Sequence, residues 1–320
     1  MTAAAPLIDL ALSPALTAPA LRAACSENGF FLVANHGVSP ELERRLEILS
    51  ANFFAWDEAR KLEIAMARGG RAWRGYFPVG GELTSGKKDL KEGLYFGQEL
   101  AAGDPRPLHG PNLFPDLPGS KETVLEYMAE MTNLGHRLMG LLSLSLGLPE
   151  DYFLRHYTQD PTLLFRIFHY PPQSSHDAAE YPWGVGAHTD YGILTILKQD
   201  MVGGLEVQTR QGWVAVPPVP DTFVCNIGDM LDFLTRGLYR SAPHRVRNLS
   251  GRERYSWPFF FDPNFAALVR PLPLAPQTHA RQSRWDHQDL YAFDGSYGDY
   301  LVGKVAKVFP VLATQAIRLK

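Results

Sequence analysis

From about residue 162 the chain is made of short β-type runs broken by Gly, Pro and Asn. That punctuation predicts a double-sheet jelly roll, a β-sandwich open at one end. Ahead of it the pattern is helical. Residues 15–28 form one expected helix, ended by Gly29 before a strand over Phe30–Ala34. Residues 40–66 place Leu42, Leu46, Leu49, Phe53 and Phe54 at helical spacing. Residues 120–146 repeat Val124, Met128, Met131, Leu138 and Leu142 on one face, ended by Gly147 and Pro149. Such a stripe is core packing. A short helix over 150–156 and a last one over 297–308 complete the expectation. The fold class is therefore mainly β with helical decoration, a double-stranded β-helix core backed by long helices. We expect one domain over 1–320: a mostly helical region to 160 with a loop near 71–96, the core over 161–270, and a closing segment over 271–320.

Within the β-rich part, Gly186-Ala187-His188-Thr189-Asp190-Tyr191-Gly192 precedes the apolar run Ile193–Leu197. Side chains two apart on a strand share a face, so His188 and Asp190 can reach one point. His244, in Pro243-His244-Arg245-Val246, follows after 53 intervening residues and offers a third arm. Two imidazoles and a carboxylate on one face leave metal positions open, as non-heme Fe(II) oxygenases require. Ten residues later comes Arg254-Tyr255-Ser256. Arg254 and Ser256 again share a face, and a guanidinium fork beside a hydroxyl suits a carboxylate. Together they predict Fe(II) with a dicarboxylic cosubstrate, 2-oxoglutarate, and O2 as the second cosubstrate.

Nearly the whole chain resembles the isopenicillin N synthase-like family of Fe(II)/2-oxoglutarate-dependent oxygenases. The resemblance runs through Pro6–Leu10, Gly29–Val38 with its Asn-His-Gly-Val turn, Arg74-Gly75-Tyr76, Asp89-Leu90-Lys91-Glu92, the His-Thr-Asp-Tyr-Gly run, Gly203–Val207, Asn226–Asp229, His244 and Arg254-x-Ser256. It implies a dioxygenase, by default a hydroxylase, that oxidises a small organic molecule and releases succinate and CO2. It places Tyr170 near 2-oxoglutarate, and Phe168 where relatives commonly carry an Asn. It also implies substrate contacts at Arg74, Tyr76, Glu82, Thr84 and Phe96 in the loop over the mouth, and at Tyr191, Phe259 and Phe261. C-terminal aromatics, Trp285, Tyr291, Phe293, Tyr297 and Tyr300, complete the pocket, with the last helix packed over the mouth. His36 and His169 are read as structural, and Gly228–Phe233 as a turn and strand with Asp229 capping the turn. Desaturation or cyclisation needs only a different substrate pose.

Three other readings compete. One is an oxidase of the isopenicillin N synthase type that dispenses with 2-oxoglutarate. Another is ethylene-forming breakdown of 2-oxoglutarate, suggested by Gly80–Lys87 and Pro263-Asn264-Phe265. The last is a zinc hydrolase or non-catalytic binding protein, since zinc accepts the same ligands; a hydrolase has no use for the Arg-Ser clamp. Net charge is -3 with no long basic run, which argues against nucleic acid. Cys25 and Cys225, the only cysteines, stand 200 positions apart and form no disulfide framework, so a reducing cytoplasm is expected. The stretch Leu138–Leu148 is too short to span a bilayer. The partner is a small molecule, and the chain a monomer.

Overall fold

Most of the β-type runs pair into two sheets with a cavity between them. The computed structural model describes residues 5–84, 86–172, 183–274 and 290–309. Ser85, the end of the Pro-rich span 271–276, Trp285 and the side chain of Tyr291 lie outside the described residues. The larger sheet has the order β1 (Leu7–Asp9), β2 (Phe30–Ala34), β12 (Phe223–Ile227), β9 (Leu194–Gln199), β14 (Arg254–Asn264), β7 (Pro161–Tyr170), β6 (Glu92–Gly97), β3 (Gly75–Phe77). The smaller one runs β11 (Gly212–Ala215), β10 (Leu205–Thr209), β13 (His244–Val246), β8 (Val185–His188). A hairpin of β4 (Leu83–Thr84) and β5 (Lys87–Lys88) stands apart. This is the jelly roll. Phe259–Asn264 does not form a separate closing strand; it continues the Arg254 strand, which lies between β9 and β7.

Helices back the larger sheet. Helix α1 (Pro14–Glu27) and α2 (Pro40–Phe54) pack on α4 (Ser120–Ser145), which in turn meets β9 and β14. Gly135 of α4 is a close-approach position: a Cβ there would stand 2.4 Å from the Phe261 ring. The helix expected over 40–66 stops at Phe54. Asp57 accepts the Arg60 N–H and starts a separate turn, α3 (Glu58–Lys61), followed by 3-10 turns. Short α5 (Tyr152–His156) lies where a short helix is expected.

A second difference bears on the site. Gly228–Phe233 is not a strand. It forms α6 (Asp229–Leu234), whose opening N–H groups donate to Asp190 O (2.7 Å, from Asp229) and Gly192 O (3.0 Å, from Met230). The first turn of a helix needs outside acceptors, and here the loop that carries Asp190 and Gly192 supplies them. Asp229 is the first residue of that helix, not a turn cap. The last helix, α7 (Tyr297–Val308), begins with a Ser296–Asp299 capping box and sets Leu301, Val305 and Val308 against the cavity. No helix among the described residues is long and apolar enough to cross a membrane.

Candidate metal and cosubstrate site

Strand register assembles the site. His188 and His244 are direct partners across β8 and β13, with ring centroids 4.2 Å apart. Each imidazole turns its Nδ1 to a backbone carbonyl, Gly186 O at 2.9 Å and Ala242 O at 3.3 Å. That leaves the two Nε2 atoms facing Asp190 Oδ1, at 3.8 and 3.7 Å. Ligand atoms of the three residues lie within 4.8 Å of one another. The other oxygen, Asp190 Oδ2, accepts from Thr195 Oγ1 (2.5 Å) and Asn226 Nδ2 (2.6 Å). Thr195 and Asn226 are themselves partners across β9 and β12. Neighbours of this kind orient metal ligands.

Electrostatics follow from burial. It pushes the Asp190 carboxyl up, but the two imidazoles and the Asn226 and Thr195 bonds outweigh it and hold the group below its usual value. Burial lowers His188, and burial together with His188 lowers His244 to about 4. Neutral imidazoles and an ionised carboxylate are the states a divalent metal needs.

A cavity of about 110 Å³ joins this triad to the Arg-Ser pair. Arg254 is fully buried, and its Nε donates to Gly203 O. Its Nη1 and Nη2 have no hydrogen-bond partner among the described residues. Tyr170, the partner of Arg254 across β7 and β14, lies with its ring 4.4 Å from the guanidinium carbon. Its hydroxyl is 3.3 Å from Ser256 Oγ. A buried guanidinium with an unused fork fits a carboxylate group, so these residues fit the far end of 2-oxoglutarate, as the triad fits iron.

Family comparison decides the class. Residues 161–263 match the 2OG-Fe(II) oxygenase superfamily, and residues 5–117 match the N-terminal region of the non-haem dioxygenases in morphine synthesis. A probable iron/ascorbate oxidoreductase of Dictyostelium discoideum is 50% identical, covering 92% of this chain and 89% of that protein. The chain belongs to the 2OG-Fe(II) oxygenase superfamily. It is a non-heme Fe(II)/2-oxoglutarate-dependent dioxygenase, with Fe(II) and 2-oxoglutarate as cofactors. A homoarginine-6-hydroxylase of Oryza sativa subsp. japonica is 35% identical over 89% of this chain and 87% of that one. The crystal structure of a full-length Neurospora crassa protein in complex with alpha-KG superposes with a TM-score of 0.80 and 28% identity, covering 95% of this chain and 96% of that one.

Against this oxygenase frame the expected substrate contacts divide. Glu82, Thr84 and Tyr191 line the cavity. Arg74 does not: it is buried, and its guanidinium donates to the carbonyls of Gln98, Leu108 and Gly110. Tyr76 is also buried, its hydroxyl donating to Glu92 at 2.5 Å. Phe96 stacks between Phe114 and Phe165, lining a side recess instead of the main cavity. Phe259 and Phe261 point the other way, toward α4: Phe259 packs on Phe165, which meets Tyr127, and Phe261 packs on Gly135 and His136. Phe260 and Pro258 take their place in the cavity.

His169 points away from the cavity, hydrogen-bonded to Glu92 and Glu253 and stacked on Tyr255. His36 is structural, its Nδ1 accepting from Val38 N.

Several cavity residues were missed. Lys91 sits between Glu82 (2.7 Å) and Asp89 (2.5 Å), and 4.8 Å from the centre of the Phe168 ring. Burial pushes Glu82 up, but Lys91 and Arg166 bring it down to about 2, so it faces the cavity ionised. Arg166 stacks between the Tyr95 and Phe260 rings at 4.2 and 4.8 Å and lies 3.5 Å from Glu82. An arginine inside the apolar run Leu163–Phe168 was the available signal. Asp262 also lines the cavity, accepting from Ile193 N and the Tyr297 hydroxyl. It explains Gly192, where a Cβ would stand 1.4 Å from Asp262 Oδ1.

Proposed function

We propose that His188, Asp190 and His244 hold the Fe(II), that Arg254, Ser256 and Tyr170 receive the far carboxylate of 2-oxoglutarate, and that the chain hydroxylates a small amino acid. The observation that carries the cosubstrate assignment is the unused Arg254 fork, buried in the same cavity as the triad. Bound together, iron and 2-oxoglutarate supply oxygen activation coupled to decarboxylation of 2-oxoglutarate to succinate and CO2. The chain's own residues do the positioning. Thr195 and Asn226 fix the Asp190 carboxylate so that one oxygen faces the histidines. Leu301, Val305 and Val308 of α7 present an apolar wall that excludes water.

The amino-acid assignment is supported by the part of the cavity wall that carries Glu82. Glu82, between Lys91 at 2.7 Å and Arg166 at 3.5 Å, sets charges of both signs on the cavity wall. Such a wall suits a molecule that itself carries both signs, and the similar hydroxylase from Oryza sativa is named for homoarginine. Two buried free cysteines and a net charge of -3 support a cytoplasmic enzyme that does not bind nucleic acid. The test is succinate release from 2-oxoglutarate across a panel of amino acids that includes homoarginine. Stimulation by one of them above the substrate-free rate is expected. A panel that gives none, with 2-oxoglutarate still bound, sinks the substrate class.

A further inference from the structure

Next to the cavity lies a recess of about 20 Å³, and Leu164, Arg166 and Val305 line both spaces. Roughly 10–15 Å³ admits one water, so the recess has room for a terminal group of carboxylate size, not for a ring. Trp73, buried, also lines it. The Trp73 indole N–H has no hydrogen-bond partner among the described residues, and neither has the Nε–H of Arg166. Buried donors are nearly always paired. Two unpaired ones on residues that line a single recess point to an acceptor that belongs there.

Backbone conformation gives an independent sign. Trp73 and Leu108, both lining the recess, adopt φ of 54° and 65°. Bulky residues rarely enter that region, and such strain gathers at ligand clamps and active sites. The surroundings hold it in place. Leu108 N donates to Arg71 O at 2.8 Å, while Arg74 Nη2 donates to Leu108 O at 3.1 Å. Arg74, which touches no part of the main cavity, thereby acts as a positioning residue for the recess wall.

We propose that this recess is a substrate subsite that receives the substrate's carboxylate between the Trp73 indole N–H and the Arg166 Nε–H. The proposal rests on reading the main cavity as the oxygenase's substrate chamber. It assigns direction to an amino acid in that chamber: the carboxylate enters the recess, and the amine faces Glu82, 3.5 Å from the Arg166 guanidinium.

The test uses protein loaded with Zn(II) and 2-oxoglutarate, so that nothing turns over and the cosubstrate site is filled. Indole N–H resonances are followed while butyrate is added, with butyramide as the neutral control. The chain has six tryptophans, and the Trp73 signal is the one missing from Trp73→Phe. A saturable downfield shift of that signal with butyrate, but not butyramide, is expected. The apparent Kd should rise about tenfold or more in Arg166→Gln, the loss of one hydrogen bond to a charged group. Trp73→Phe keeps an aromatic ring without the N–H, and calorimetry on it should show a similar weakening if Arg166→Gln fails to fold. A Trp73 signal unmoved by butyrate, as a structural water would leave it, overturns the proposal, and so does an equal response to butyramide. The 2-oxoglutarate isotherm is measured separately on the same preparation. A silent indole with 2-oxoglutarate bound removes the recess alone, whereas a responsive indole without 2-oxoglutarate binding removes the cosubstrate reading alone.

Discussion

The two ends of the cavity are built by different means. At the end where we place iron and 2-oxoglutarate, every key side chain stands on a strand or beside one, and register sets its partner: His188 opposite His244, Thr195 opposite Asn226, Arg254 opposite Tyr170. At the other end the groups come from the small β4–β5 hairpin and the residue before it (Thr84, Glu82), one half-buried arginine of β7 (Arg166) and the last helix (Leu301, Val305). Ladder hydrogen bonds hold the first end, so its geometry is common to any chain with that register. Ion pairs and packing hold the second, and each contact there can change without disturbing the sheets. In the proposed arrangement, chemistry sits on the rigid end and selectivity on the variable one.

Substitutions can break this contrast, and the largest effect is expected at the triad. His188→Ala should abolish stoichiometric Fe(II) binding, measured by equilibrium dialysis, while leaving the thermal unfolding midpoint of the metal-free protein within a few degrees. Next come the two arginines. Arg254→Ala should weaken 2-oxoglutarate binding by about 2–5 kcal/mol, the cost of removing one partner of a buried charge pair, with calorimetry as the readout. Arg74→Ala should leave that affinity unchanged and instead cost about 3 kcal/mol in urea unfolding, because three carbonyls lose a charged donor. Equal effects on 2-oxoglutarate at both positions would erase the distinction between the ends. Asn226→Ala should lower iron affinity about 10–100-fold through the loosened Asp190 carboxylate.

A separate effect is expected on pH dependence. Burial pushes Asp262 up to about 7 in the folded chain, against an ordinary value near 3.9 unfolded. The folded state therefore holds a proton that the unfolded state has released. This contribution to stability is full below about pH 4 and fades as pH rises to about 7, at no more than about 1.4 kcal/mol per pH unit. Asp262→Asn should flatten that part of the stability profile in urea titrations run from pH 4 to 7; an unchanged slope would show that Asp262 is already ionised at pH 4.

Much of the strand-built end could be read from the amino acids. The two-residue period brings His188 to Asp190 and Arg254 to Ser256, and the spacing to His244 allows the third arm; helices α4 and α7 lie close to the expected bounds. The same period, carried on from Arg254 and Ser256, leads to Pro258 and Phe260. Expecting Phe259 and Phe261 in the cavity neglected that alternation. Arg74 and Tyr76 could not be placed from sequence, because a buried arginine that satisfies carbonyls looks the same as one that awaits a ligand. Helix α6 was hidden for a related reason: its first N–H groups find acceptors on Asp190 and Gly192, which only the fold brings near. Lys91 and Arg166 were hidden too, since their role depends on Glu82 meeting them across three elements.

The central claim is that one cavity holds iron on His188, Asp190 and His244 and 2-oxoglutarate on Arg254 and Ser256. Anaerobic titration of Fe(II)-loaded protein with 2-oxoglutarate tests it most directly, through the weak visible charge-transfer band of the metal-chelated cosubstrate. A saturable band, absent in His188→Ala and requiring far more 2-oxoglutarate in Arg254→Ala, is the predicted result. Iron bound without any band, or a band that saturates identically in Arg254→Ala, would contradict the account.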